Sequence, residues 1–465
     1  MSLYRATRVI PRAARLSLAR GYASDLTPNT KFTPVTHPDT EAPQSTHDMI
    51  SEHSHYLLNT YARPPILFEK GQGLKLTDSS GREYLDFSAG IAVLALGHSD
   101  PEVAKIMGEQ ASELSHVSNV YWNRWAGELA KSLVEGTRES GGLGLKAGEK
   151  GGAKVFFANS GTEANEGALK FARKVGKDRG GPTKTGLVCF SNAFHGRSMG
   201  ALSVTPNPKY QDPFAPLIPN VKVGAYNDAN EKVLNALIDQ STAGVILEPV
   251  QGEGGLATAT PEFIQAVAKR AREVGAVLIY DEIQCGLFRT GDMWAHCAFP
   301  KDAYPDIVTM AKPLANGFPI GAIMVRDEVA DAIGQGSHGT TFGGQPLAAR
   351  LGAHVVGRLR DPAFRKHIQE VSQHLDTLVE RLPKLFPDLI KDEKRGRGLI
   401  RGIAFKDESM PGQLVKLARE RGVLLLTAGK DCVRLIPALT VTNEEADHAM
   451  AVIESCLSIL QKENK

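Results

Sequence analysis

Residues 276–291 read AVLIYDEIQCGLFRTG, and residues 306–321 read DIVTMAKPLANGFPIG. The runs at 276–280 and 306–310 are short and apolar, the pattern of strands buried on both faces of a parallel sheet. Each leads into an ionisable group: Asp281 directly after the first, Lys312 shortly after the second. In open parallel α/β sheets, ligands sit beyond the carboxyl ends of the strands. A carboxylate and a lysine amine on that edge can hold one small molecule between them. Pyridoxal phosphate asks for such a pair: a lysine for a Schiff base with its aldehyde, and a carboxylate to keep its pyridine nitrogen protonated. An acid and a lysine at strand ends also read as solvated loop residues, so the flanking sequence has to decide.

Outward from this stretch, strand and helix patterns alternate. AKVFFAN (153–159) is a strand, and SGTEANEGALKFARK (160–174) a helix with Ala164, Ala168, Phe171, Ala172 and Val175 on one side. Strands follow at 187–194 and 244–250. Thr260-Pro261-Glu262 opens a helix with a cap, a proline at its first position and a first-turn acid, and Gly275 ends it. This succession predicts an α/β fold: a large domain over 116–345 with a mostly parallel sheet covered by helices. Before it, 71–87 reads as a hairpin turning at 78–81, and Asp100 caps a helix starting at Pro101. HVSNVYWN (116–123) reads as core or as a pocket wall. The six glycines of 138–152 predict a surface loop.

From 346 onward the character changes. Helices at 346–360 and 363–385, strands near 400–406, 422–426 and 432–436, and a last helix from Asn443 predict a smaller α+β domain over 346–465. The segment 61–115 joins that domain. Gly396-Arg397-Gly398 precedes a strand instead of following one, so it is a turn and not a dinucleotide fingerprint.

Charge and composition remove several classes. A net charge of +2 over 465 residues argues against a dedicated nucleic-acid binder, and no apolar run approaches a membrane span. Residues 1–22 hold five arginines (Arg5, Arg8, Arg12, Arg15, Arg20) and no acid, the mark of a mitochondrial transit peptide. Residues 23–60 read as a mobile lead-in. The five scattered cysteines form no CxxC pair and suit neither zinc nor a disulfide framework, so no metal site is expected.

Other strand ends carry further chemistry. Ser160-Gly161-Thr162 opens a helix, where backbone N–H groups and the helix dipole seat a phosphate; Ser160 with Glu163 equally fits a capping box. In Phe194-His195-Gly196-Arg197 the ring can stack on a planar cofactor and the guanidinium can grip a carboxylate, or they are a core Phe and a surface Arg. Glu248 and Glu253 lie in EPVQGEGG, and Arg434 lies among apolar residues in CVRLIP. Glu253 and Arg434 form either a movable gate or a structural ion pair. Thr340 and Thr341, in HGTTFGG, suit a phosphate or a turn.

In this order along the chain, NSGTEANEGALKFARK, FHGR, EPVQGEGG, DEIQCGLFRTG, DIVTMAKPLANGFPIGA and HGTTFGG closely resemble the class III (ω-amino acid) aminotransferases of the fold type I pyridoxal phosphate family. SNVYWN, FHGRSMGALS and TPEFIQAV are similar to the subgroup acting on N-acetylornithine. The resemblance spans roughly 85 to 440. It implies that Lys312 carries the cofactor and later moves the proton, that Asp281 pairs with the pyridinium, and that Gln284 lies near the phenolic oxygen. It implies Phe194 on the ring and Ser160, Gly161 and Thr162 at the phosphate, with Thr341 reaching it from a neighbouring subunit. Arg197 and Thr340 would contact the acetylated substrate. Arg434 would bind the α-carboxylate of glutamate or 2-oxoglutarate, with Glu253 as its alternate partner. The implied protein is a homodimer of the mitochondrial matrix using N-acetylornithine, with ornithine or 4-aminobutyrate as alternative amines. Pro313, after Lys312, departs from the small residue of many relatives; it removes an N–H but leaves the lysine side chain free.

Overall fold

The computed structural model describes residues 33–146 and 148–463, so the basic leader lies outside the described residues. The described part of the lead-in carries a helix, Gln44–Ser54, where composition predicts mobility. It is tied down by an Asp39–Arg419 ion pair of 2.6 Å and by His37 Nε2, 2.8 Å from the Glu83 carbonyl.

A three-stranded meander follows, with strands β1 (Phe68–Gln72), β2 (Lys75–Asp78) and β3 (Glu83–Asp86), of which β2 and β3 form the predicted hairpin. Asp78 builds the turn: its Oδ1 accepts from the N–H groups of Ser80 and Arg82, both at 2.9 Å. The central sheet holds β4 (Ala153–Ala158), β5 (Gly186–Phe190), β6 (Val221–Gly224), β7 (Thr242–Leu247), β8 (Val277–Asp281), β9 (Ile307–Met310) and β10 (Gly321–Arg326), in the order β4-β10-β9-β8-β7-β5-β6. Only β10 runs against its neighbours.

The uninterrupted apolar runs follow from this burial. Along β8, Leu278 and Tyr280 face the helix Pro261–Val274 through Phe263, Ile264 and Val267. Val277 and Ile279 face the helix Gly161–Gly180 through Ala164, Ala168 and Phe171. Successive residues point to opposite faces, and both faces are covered, so every position is apolar. The sequence signals for the helix Pro261–Val274 hold in detail. Thr260 Oγ1 accepts from Phe263 N at 3.2 Å, and Gly275 ends the helix at φ +66°.

The C-terminal part forms a second sheet from β11 (Arg395–Arg397), β12 (Ile400–Ala404), β14 (Leu426–Ala428) and β15 (Cys432–Leu435), in the order β11-β12-β15-β14. The strand predicted near 422–426 is divided. β13 (Val423–Leu424) pairs in parallel with β3, joining the N-terminal hairpin to the C-terminal part, and β14 then enters the other sheet. The helix predicted over 363–385 breaks into Pro362–Glu380 and Leu382–Leu385, because Pro383 has no N–H for a continuing helix. The glycine-rich loop is not purely surface. Leu143 is buried, and a Cβ on Gly142 would come within 2.6 Å of Trp294. No helix among the described residues is long and apolar enough to cross a membrane.

Candidate active site

Five strand ends meet at one edge of the central sheet. They enclose a cavity of about 390 Å³ lined by Ser160, Gly161, Thr162, Phe194, Arg197, Glu248, Glu253, Asp281, Gln284 and Lys312, among others. Asp281 closes β8, Lys312 follows β9, the Ser160 turn follows β4, the Phe194 loop follows β5, and Glu248 follows β7. Residues distant in sequence thus share one space because the parallel strands all point the same way.

Burial is the main force on the Lys312 amine, lowering its pKa from 10.5 to about 8. The negative charge of Glu253 opposes this, and the positive charge of Arg434 adds to it. Asp281 is buried, and its Oδ2 accepts from Asn165 Nδ2 at 2.7 Å and pairs with His195 Nδ1 at 2.8 Å. Its Oδ1 accepts from the Ile283 N–H at 3.0 Å. Glu248 accepts the N–H groups of Phe194 and Gly252, each at 2.9 Å, which ties the aromatic loop to the Gly252–Glu253 turn. Its carboxyl is held well above the usual range, by burial first and then by the charge of Asp281.

The first turn of the helix Gly161–Gly180 faces the cavity. Ser160 caps its helix and also borders the cavity. Its Oγ accepts from Glu163 N at 3.3 Å as a cap, while it also lines the cavity with Gly161 and Thr162. A Cβ at 161 would lie 2.8 Å from the Ile283 side chain, which would have to move to admit it. Gly196 adopts φ +133°, and a Cβ on it would meet Thr162 Oγ1 at 2.3 Å.

Arg434 is buried, and its Nη1 donates to Glu253 Oε1 at 2.5 Å, to Gln284 Oε1 at 2.7 Å and to the Gly252 carbonyl at 2.6 Å. The Gln284 amide therefore spans Arg434 and Glu253, a position the sequence reading did not foresee. Arg197 is exposed and lies 3.5 Å above the Tyr210 ring. Thr340 and Thr341 do not line the cavity of their own chain: Thr340 Oγ1 accepts from Asn159 at 3.1 Å, and Thr341 is exposed. Within the single chain HVSNVYWN is not core and does not border the cavity, and Tyr121 is 71% and Trp122 99% exposed.

Asn165, His195 and Thr309 were given no role in the sequence. Asn165 carried a faint signal: with Ala168 and Ala172 it falls on one helix face, and a polar residue among buried alanines needs a partner.

A family profile described as "Aminotransferase class-III" matches residues 57–457. The chain belongs to the class-III aminotransferases. It is 51% identical over 422 residues, 90% of this chain and 89% of the other, to the mitochondrial acetylornithine aminotransferase of Neurospora crassa. It is 43% identical to that of Saccharomyces cerevisiae, with 88% of this chain and 95% of the other covered. Among solved structures, the ornithine aminotransferase of Toxoplasma gondii superposes with a TM-score of 0.80 at 30% identity, covering 90% of this chain and 96% of that one. The N-acetylornithine aminotransferase of Stenotrophomonas maltophilia gives 0.73 at 32% identity, covering 89% and 99%. The fold is fold type I, and the cofactor of this class-III aminotransferase is pyridoxal phosphate. The cavity fits it: a desolvated amine and a buried carboxylate share one space with an aromatic ring and a helix N-terminus suited to a phosphate.

Proposed function

We propose that the protein transfers the side-chain amino group of N2-acetyl-L-ornithine to 2-oxoglutarate, giving N-acetyl-L-glutamate 5-semialdehyde and L-glutamate, a step of arginine biosynthesis. Its compartment is the mitochondrion, as it is for the relatives in Neurospora and Saccharomyces. The observation that carries the two-substrate reading is the Arg434–Glu253 pair beside Lys312. A site that must take an amine and then a dicarboxylate needs a cation that can be either engaged or free. Glu253 is 32% exposed on its side chain, so it can swing away when a substrate carboxylate arrives at Arg434.

Bound here, pyridoxal phosphate supplies a sink for the electron pair left when a proton leaves the amine-bearing carbon. Lys312 would hold the cofactor's aldehyde through its amine, and the same amine would take and return that proton. Asp281 presents its charge to the ring nitrogen, Phe194 covers the ring, and Gln284 borders its phenolic side. Ser160, Gly161 and Thr162 hold the phosphate. Arg197 receives the acetylated end of the substrate, and Thr340, which stands outside the cavity of its own chain, would meet it from the neighbouring subunit, as Thr341 would meet the phosphate.

Only a neutral amine bonds an aldehyde, so the lowered pKa of Lys312 has a measurable consequence. Uptake of cofactor by the cofactor-free protein is expected to accelerate as pH rises to about 8 and then to level off, where an ordinary lysine would keep gaining up to 10.5. The same group makes the cofactor-free fold more stable as pH rises from about 8 to 10.5, because only the unfolded chain then holds the proton. Stopped-flow uptake and thermal unfolding across pH 6 to 10 check both.

The working unit is a homodimer in which Thr341 of one subunit reaches the phosphate of the other. Val120, Tyr121, Trp122 and Phe342 are 63% exposed or more, an apolar cluster that asks for cover, and Phe342 is adjacent to Thr341. A Trp122→Asp protein is expected to sediment as a monomer at low micromolar concentration and to lose cofactor affinity; a fully active monomer would refute this.

The amine is tested by kcat/KM for N-acetylornithine, ornithine and 4-aminobutyrate side by side, with glutamate formation as readout. Free ornithine is the second reading, favoured by the 0.80 TM-score of the Toxoplasma enzyme against 0.73 for the Stenotrophomonas one. A clear preference for ornithine would overturn the acetylornithine assignment.

A further inference from the structure

We propose that Asn165, oriented by Thr309, is a positioning residue that occupies one oxygen of Asp281 so that the other is presented to the cofactor's ring nitrogen. The inference rests on the reading of Asp281 given above.

An ionised carboxylate offers about two acceptor positions on each oxygen. Both positions on Asp281 Oδ2 are filled, by Asn165 Nδ2 at 2.7 Å and His195 Nδ1 at 2.8 Å. Oδ1 takes one donor, the Ile283 N–H at 3.0 Å, and keeps one position. The remaining capacity of the carboxylate is therefore on Oδ1. The two oxygens are equivalent, so a half-turn of the group restores the same arrangement, with two donors on one side and one on the other.

The Asn165 amide cannot reverse. Its Oδ1 accepts from Thr309 Oγ1 at 2.8 Å, and its Nδ2 donates to both the His195 carbonyl, at 2.7 Å, and Asp281. Both amide hydrogens and the amide oxygen are used. A flip would set the oxygen against a carboxylate and a carbonyl, and the NH2 against a hydroxyl already turned toward Asn165. Asn165 and Thr309 are fully buried, so no water makes up for a wrong orientation.

The register explains why these residues meet. Thr309 on β9 lies directly opposite Asp281 on β8, and Asn165 is in the second turn of the helix that crosses above them. One side chain thereby links the helix bearing the proposed phosphate seat to the two strands bearing the acid and the lysine. A structural tie alone would need only one hydrogen bond; here every donor and acceptor converges on the orientation of one carboxylate.

The test uses the holoenzyme with Asn165→Ala and Thr309→Val, the second keeping the shape of the side chain while removing its hydroxyl. Asn165→Ala is expected to lower kcat of both half-reactions by about ten- to hundredfold, with KM for both substrates changed less than about threefold. The pH at which the visible band of the bound cofactor changes form is expected to move by about half a unit or more. Thr309→Val should move both readouts in the same direction by less, and the double variant should be no worse than Asn165→Ala alone. If Asn165→Ala does not fold, as judged by thermal unfolding, Thr309→Val decides.

Two outcomes overturn the proposal and are told apart by Asp281→Ala. If Asp281→Ala is impaired while the Asn165 and Thr309 variants keep the original kcat and band titration, Asn165 does not position the acid. If Asp281→Ala itself keeps its rate and spectrum, the reading of Asp281 falls and this proposal with it.

Discussion

A Lys312→Ala protein is expected to fold, to take up pyridoxal phosphate without a covalent bond, and to turn over at least about 10⁴-fold more slowly than the parent, the upper range for loss of a positioned acid–base group. The residue is asked to do two things, and both require a free amine inside the cavity. Burial lowers its pKa from 10.5 to about 8, so roughly a tenth of the population is neutral near pH 7. The two buried carboxyl groups of the cavity, Glu248 and Asp281, do not replace it. Glu248 is committed to two backbone N–H groups, and Asp281 to Asn165, His195 and Ile283. Borohydride treatment followed by denaturation separates the two proteins: cofactor stays attached to the parent chain and leaves the variant. Added methylamine should restore part of the rate. A variant that turned over at the parent rate would remove Lys312 from the chemistry, whatever the family of the chain.

Much of this architecture was readable in the sequence, because its signals are local. The apolar run along β8 needs only the four residues Val277, Leu278, Ile279 and Tyr280 before Asp281, and the cap at Thr260 needs only the next three positions. Strand ends in a parallel sheet collect at one edge, so locating the strands also located Asp281, Lys312, the Ser160 turn and Phe194. What escaped notice depends on pairs far apart in the chain. Asn165 meets Asp281 across 116 positions and Thr309 across 144, and nothing in GTEANEGALK says which residue its amide will face. Gln284 was assigned to the cofactor alone, whereas its amide also holds Arg434, 150 positions away. The aromatics of SNVYWN stayed open between core and pocket wall for another reason. Apolar residues are normally read as core, but Trp122 is 99% exposed within the single chain, and only a second surface would bury it.

The second large effect is expected at Asp281, and its three protein partners make the choice of substitution informative. Asp281→Ala leaves Asn165 Nδ2 and His195 Nδ1 as buried donors without their acceptor, at a cost of about 1–3 kcal/mol of stability each, and removes the charge opposite the ring. It should lower both the melting temperature and cofactor retention. Asp281→Asn is the sharper test. Asn165 and His195 both donate, so they would draw the new amide oxygen to the Oδ2 position and turn its NH2 toward the ring and toward the Ile283 N–H. The cavity would then offer the ring nitrogen a donor in place of an anion, and a protonated nitrogen would no longer be favoured there. The expected result is a protein that still holds cofactor and still binds both substrates with similar KM. Its kcat should fall by about 10²–10³-fold, the range found when a single preorganised electrostatic partner of a reacting group is removed. Equal losses in kcat and cofactor affinity would mean that Asp281 serves only to anchor. A large loss in kcat with retention intact would mean that its charge acts on the reaction, and the arrangement of Asn165, Thr309 and His195 around it would then be the means by which the fold aims that charge.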